Sequence, residues 1–107
     1  MTDWPERAAR NESLFREVND RIKAIDAALG SEEGRFVCEC RRIDCADTIE
    51  IRLDDYVAVR AHGDRFAVVT GHEDPGIERV VESHARFTVV EKLGEAGMVA
   101  EELDPRS

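Results

Sequence analysis

The amino-acid sequence predicts an α+β fold, in which an N-terminal amphipathic helix precedes a small antiparallel sheet with one short helix. Apolar residues recur at alternating spacings of four and three over residues 4–29, which is typical of a helix. Residues 48–53 alternate apolar and polar side chains, as a half-buried strand does. All three cysteines fall between positions 38 and 45, where a bound metal would stabilise so small a sheet.

Residues 1–30 are predicted to form the N-terminal helix. Asp3 is a suitable N-cap, and Gly30 follows the last apolar position as a helix stop. The opposite face is charged and includes Arg16 and Asp20. The predicted apolar seam consists of Trp4, Ala8, Asn11, Phe15, Val18, Ile22, Ile25 and Leu29.

Two interpretations of this seam remain open. It can pack on the sheet of its own chain, as most amphipathic helices do. It can also pair with another helix, in a homodimer or a protein partner. In the second case we expect the partner-binding residues to be Phe15, Val18, Ile22 and Ile25.

Residues 31–94 are predicted to form a small β-rich domain. Strands are expected at residues 35–40, 48–53 and 65–69. Between the last two, Asp54 is expected to cap a short helix that turns Tyr56 and Val59 inward.

The sequence after residue 76 is ambiguous. Residues 77–84 fit a helix or a strand, but consecutive valines favour a strand that forms a hairpin with residues 86–92. Residues 95–107 are small, acidic and weakly apolar, so we expect an acidic C-terminal tail with at most one helical turn.

The charge distribution limits the classes of partner. The formal net charge of the chain is −9, and nearly all of it lies beyond residue 29. Such a surface repels phosphate backbones, so direct nucleic-acid binding is disfavoured and a protein partner fits better. The sequence has no apolar run long enough to span a membrane and no signal-peptide pattern at its start, and we expect a cytoplasmic protein.

The three cysteines are the most informative chemical feature. Cys38 and Cys40 lie two positions apart in a predicted strand, so their side chains share one face. Cys45 follows after a four-residue turn that lets the chain reverse beside them. Three interpretations compete: a zinc site, a reversible thiol switch, and small buried side chains without chemistry.

A zinc site needs a fourth ligand from elsewhere in the chain. Of the three histidines, His72 is the predicted ligand because it lies in the turn TGHEDPG, where an imidazole can be aimed freely. The alternatives are His62, His84, and water or a carboxylate such as Asp47. The predicted metal ligands are therefore Cys38, Cys40, Cys45 and His72, with zinc as the cofactor.

A Cys3His set occupies all four tetrahedral positions, which favours a structural metal over a catalytic one. We therefore expect a non-enzymatic, zinc-stabilised protein-interaction module with a regulatory or adaptor role. One alternative is a redox sensor that releases its metal when the thiols are oxidised. A small metal-dependent hydrolase, with Glu73 as the general base, is a further alternative.

Several motifs occur together in a recognisable order. They are F-x-C-E-C-x4-C at residues 36–45, G-H-E at 71–73 and V-V-E-K at 89–92. In this order the chain resembles a family of small, mostly actinobacterial cytosolic proteins, from about residue 10 to residue 97. The resemblance implies one compact cytosolic unit and points to the same three cysteines and His72, but it implies no activity.

Overall fold

The computed structural model describes residues 4–40, 45 and 47–104. In these ranges the elements are α1 Trp4–Ala28, β1 Glu33–Val37, β2 Thr48–Arg52, α2 Leu53–Arg60, β3 Arg65–Val68, β4 Glu78–Ser83, β5 Thr88–Lys92 and α3 Gly94–Glu102. β1 pairs with β2 in one antiparallel sheet, and β3, β5 and β4 form a second one in that order. The predicted α+β fold, with its N-terminal helix and antiparallel pairing, is confirmed.

The first predicted strand is shorter than expected because the chain changes sheets. β1 ends at Val37, although the N–H of Cys38 still donates to Asp47 O across the β1–β2 pair, at 3.0 Å. The N–H of Glu39 donates instead to Ala67 O in β3, at 2.9 Å. The prediction of a strand over residues 35–40 was therefore wrong at its C-terminal end, where residues 38–40 connect the two sheets.

The short helix α2 starts without the predicted cap. It begins at Leu53, and neither Asp54 nor the N-cap residue Arg52 supplies a side-chain cap hydrogen bond. The N–H of Leu53 donates to Glu32 O at 2.9 Å, so the backbone satisfies one of the donors that a cap serves. Tyr56 is fully buried as predicted.

The C-terminal half departs from the prediction at one element. β4 and β5 form the expected hairpin, with an irregular register between Val80 and Glu82. The segment expected to be a loose tail instead contains helix α3, which packs against α1 and β5. Ala100 in this helix is fully buried. Residues 105–107 of the predicted tail lie outside the described residues.

Helix α1 buries polar side chains against the rest of the protein. Arg16 and Asn19 are 0% exposed. The guanidinium of Arg16 donates to Gly63 O at 2.5 Å and to Ala100 O at 2.8 Å, and it lies 4.5 Å from the centre of the Phe66 ring. The expectation that Arg16 lies on a solvated charged face was wrong, because these carbonyl groups compensate its burial.

The opposite face of α1 is open to solvent and carries large apolar side chains. Leu14, Val18 and Ile25 have 61%, 46% and 60% of their surface accessible, and Leu29, which follows the end of the helix, has 75%. Phe15 and Ile22 are half-buried, and Ile22 packs against the main hydrophobic core. The predicted N-cap Asp3 and the seam side chains before residue 13 lie outside the described residues. None of the described helices is long and apolar enough to cross a bilayer.

Candidate metal centre

The structure brings the four predicted ligand residues together. One ligand atom from each of Cys38, Cys40, Cys45 and His72 lies within 4.8 Å of all the others. Nδ1 of His72 lies 3.6 Å from the sulfur of Cys38 and 3.6 Å from that of Cys45. A tetrahedral zinc ion with its usual bond lengths to sulfur and nitrogen separates those two atoms by about 3.6 Å. The cluster can therefore hold a metal ion of that size.

Alternation of side chains places two of the sulfurs. Cys38 and Cys40 face the ligand cluster, whereas Glu39 between them points to the other side of the chain. The predicted shared face of the two cysteines is thus present, although it arises in the extended connection after β1 and not inside a strand.

Glu39 anchors this connection from its buried side. Its carboxylate accepts hydrogen bonds from the Tyr56 hydroxyl at 2.5 Å, the Asn19 amide at 2.8 Å and the Ala67 N–H at 2.8 Å. Burial raises the pKa of Glu39, and these three donors act against that rise. No sequence pattern predicted this network, beyond a glutamate that alternates with two cysteines and must point away from them.

A tight turn aims His72 at the sulfurs. The N–H of His72 donates to Val69 O at 2.9 Å and closes a four-residue turn. Gly71, the third residue of the turn, has a φ of 97°, a value that glycine adopts without strain in a type II turn. Val69 also donates its own N–H to the Cys38 sulfur at 3.2 Å. The backbone of one residue thus fixes a cysteine and the histidine relative to each other.

Glu73, the possible general base, directly follows this turn. Its carboxylate accepts the N–H of Gly71 at 2.8 Å, next to the imidazole of His72. In this position Glu73 stabilises the conformation that presents the histidine.

The surroundings of the sulfurs favour protonated thiols over thiolates. A hydrogen bond with the neighbouring Cys40 thiol and burial raise the pKa of Cys38, while the backbone amides of Val69 and Cys40 lower it. Burial also raises the pKa of Cys45, and the backbone amide of Asp47 lowers it. A divalent cation reverses the net rise in these pKa values, because it stabilises thiolates and displaces the protons of the thiols.

Burial of the thiols alone does not distinguish a metal site from a hydrophobic core. Cys38 and Cys40 are 2% and 0% exposed, and they belong to a core cluster that also contains Phe66, Val68, Val90 and Ala100. The convergence of Cys45 and an imidazole on the same point does distinguish them. A purely apolar cluster gains nothing from a half-buried histidine nitrogen placed against two sulfurs.

The alternative fourth ligands lie outside the cluster of ligand atoms. His84 stacks on Phe87 and lies 2.9 Å from a Glu82 oxygen, while His62 is exposed after α2. The carboxylate of Asp47 lies near the cluster but on its outer side, 3.6 Å from Nε2 of His72.

Comparison of the chain with protein-family models, with curated proteins and with solved structures found no match. The resemblance inferred from the motifs stays a prediction. The structural evidence that bears on function is the ligand cluster, a Cys3His group that could hold a metal ion.

Proposed function

We propose that Cys38, Cys40, Cys45 and His72 bind one zinc ion, and that this ion stabilises a non-enzymatic protein-interaction module. The observation that carries the proposal is the pair of 3.6 Å distances from His72 Nδ1 to two sulfurs, which matches the edge of a zinc tetrahedron. Four protein donors fill the coordination sphere, as in structural zinc sites.

The position of the cluster explains what the metal stabilises. Its cysteines lie on the connection from β1 to β2, and its histidine lies in the turn after β3. The ion therefore joins segments that belong to the two different sheets. Because unfolded chains lack a preformed site, the free energy of zinc binding adds to the stability of the fold.

Metal content of the purified chain tests the site. We expect one zinc per chain by elemental analysis, and a loss of zinc and a lower melting temperature in His72→Ala and Cys45→Ser. These two ligands are half-buried, so their substitution disturbs packing less than substitution of the two buried cysteines. His62→Ala is the matched control and should retain its zinc. Wild-type protein without stoichiometric zinc, or ligand variants that bind it normally, would refute the site.

The proposed interaction surface is the exposed face of α1 that carries Leu14, Val18 and Ile25 and is continued by Leu29 after the end of the helix. Of the four residues predicted to bind a partner, Val18 and Ile25 lie on this face, whereas Phe15 and Ile22 flank it and are half-buried. An apolar stripe on the side of a helix that faces away from its own core is a common feature of helix-pairing surfaces.

We assign a second copy of the chain, in antiparallel orientation, as the occupant of this surface. Arg21 lies within the stripe and Glu17 at its edge, and both are exposed. A parallel pair would place Arg21 against its own copy. An antiparallel pair centred near residue 19 places each Arg21 beside Glu17 of the other chain and Leu14 near Ile25 of the other chain. Opposite charges at such flanking positions set the orientation of paired helices. A dimer of this kind fits a regulatory or adaptor role.

Sedimentation of charge-reversed chains tests the pairing. Wild-type protein should dimerise reversibly, and Glu17→Arg or Arg21→Glu alone should weaken the dimer because each places like charges together. An equimolar mixture of the two variants should recover dimers, since each new charge then meets its opposite. Met98→Glu changes an apolar residue of similar exposure outside α1 and should have no effect. A monomeric wild-type chain, or a mixture without recovery, would contradict the assignment.

A second candidate function is a thiol redox sensor, and the exposure of Cys45 favours it. This sulfur is half-exposed, whereas those of Cys38 and Cys40 are buried, so a hydroperoxide can reach one ligand directly. Oxidation of two thiolates to a disulfide transfers two electrons to hydrogen peroxide, which takes up two protons to give two waters, and the zinc ion is released. Peroxide should therefore release zinc from wild-type protein, and a thiol reductant should restore binding. Zinc retained after peroxide treatment would exclude this function.

A further inference from the structure

Asp47 contacts two of the four residues in the metal centre. Its carbonyl oxygen accepts the N–H of Cys38 at 3.0 Å. Its carboxylate lies 3.6 Å from Nε2 of His72, on the side of the imidazole opposite to the sulfurs.

The carboxylate of Asp47 has no packing role that would explain its position. Its side chain is 63% exposed, whereas the imidazole of His72 is 17% exposed. The distance of 3.6 Å is within ion-pair range, and a shift of less than about 1 Å by an exposed side chain converts it into a hydrogen bond.

The two ring nitrogens of His72 have different surroundings. Nδ1 faces the sulfurs of Cys38 and Cys45, and Nε2 faces the Asp47 carboxylate. A neutral imidazole carries a proton on one nitrogen and a lone pair on the other. A carboxylate beside Nε2 favours the tautomer with the proton there, which leaves the Nδ1 lone pair free for a metal.

We propose that Asp47 is a positioning residue of the metal centre, which holds His72 with its proton on Nε2 so that Nδ1 binds the ion. This inference rests on the zinc site proposed above. The backbone of Asp47 orders Cys38, and its side chain sets the orientation and the tautomer of the histidine. A single exposed residue thereby acts on both segments that supply ligands.

Zinc affinity of carboxylate variants tests the proposal. Asp47→Ala removes the carboxylate and retains the backbone hydrogen bond to Cys38. We expect it to bind zinc about 10- to 100-fold more weakly in competition with a chromophoric chelator, as is usual when such outer partners are removed. Asp47→Asn retains an acceptor oxygen and should lose less affinity. Glu102→Ala removes an exposed carboxylate from α3 and should bind as wild type does.

A spectroscopic measurement separates positioning from a general loss of stability. The ¹⁵N shifts of the imidazole in the zinc-loaded chain should show metal on Nδ1 and a proton on Nε2 of His72. Coordination through Nε2 would overturn the proposal, as would an Asp47→Ala affinity within twofold of wild type. Both results leave the zinc site itself intact, whereas a wild-type chain that binds no zinc overturns the site and this inference together.

Discussion

Asn19 joins helix α1 to the strand that leads into the metal centre, and its removal should destabilise the protein strongly. The side chain is fully buried. Its amide nitrogen donates to Val37 O and to a Glu39 carboxylate oxygen, and its oxygen accepts the N–H of Val37, each at 2.8 Å. In Asn19→Ala these three hydrogen bonds are lost, and water does not replace them because the site is buried.

The size of the expected loss in stability follows from the groups to which Asn19 is hydrogen-bonded. Each of the two bonds to the Val37 backbone contributes about 1 kcal/mol, and a bond to a carboxylate about 1.5–3 kcal/mol. The expected loss in the free energy of unfolding is therefore about 3–5 kcal/mol, a large share of the roughly 5–15 kcal/mol typical of a domain. With an m-value near 2 kcal/mol/M, the urea midpoint should fall by about 1.5–2.5 M.

Urea denaturation compares the unfolding free energies of Asn19→Ala and wild type. The zinc content of both proteins is measured as well. Glu102→Ala is the control, because Glu102 is an exposed helical residue outside α1, and the unfolding free energy of this variant should change by less than about 0.5 kcal/mol. A loss below about 1 kcal/mol in Asn19→Ala would refute the argument that these hydrogen bonds fasten α1 to β1.

Four further substitutions have expected effects on urea denaturation. Arg60→Met removes a 1%-exposed side chain that pairs with two aspartates and should cost about 3–5 kcal/mol. Arg79→Ala breaks an ion pair whose arginine is 63% exposed and should cost under about 1 kcal/mol; equal losses would contradict this reasoning. Phe36→Ala empties a fully buried site and should cost about 3–5 kcal/mol; a change below 1 kcal/mol would mean that the ring is not packed as described. Gly97→Ala places a Cβ 2.8 Å from the Lys92 carbonyl oxygen and should cost about 1–3 kcal/mol; unchanged stability would exclude that close approach.

Helix α1 shows what the spacing of apolar residues can and cannot predict. The spacing of its apolar residues predicted a helix over residues 1–30, and the described helix spans Trp4–Ala28. The same pattern suggested that the apolar side packs inward or pairs with another helix. It gave no reason to place Arg16 and Asn19 inside, because their burial depends on carbonyl groups and a carboxylate that come from distant segments.

The thiol cluster was predictable in composition and only partly in geometry. A two-residue spacing fixes which side of an extended chain Cys38 and Cys40 share, whatever the strand does next. The selection of His72 followed from its glycine-containing turn, and the structure places that imidazole beside the sulfurs. The contacts of the Val69 and Asp47 backbones with the ligands had no sequence signal, since any residue has the same N–H and C=O groups.

The C-terminal helix was missed for a related reason. The segment after Gly94 is acidic and weakly apolar, which is typical of a loose tail. In the folded chain Gly97 approaches the Lys92 carbonyl closely, Ala100 is buried, and Asp104 forms an ion pair with Arg60. Small residues permit this packing, but their smallness also removes the apolar pattern from which a buried helix is recognised.

The sequence by itself determined the α+β class, the order of most elements and the identity of four residues able to hold a metal, because periodicity, turn chemistry and cysteine spacing are local properties. Only the tertiary structure decided where β1 ends, which face of α1 is buried, that the tail is a helix, and that the ligand atoms meet within 4.8 Å. Each of these depends on hydrogen bonds and contacts between segments far apart in the chain, and such contacts leave no periodic trace in the sequence.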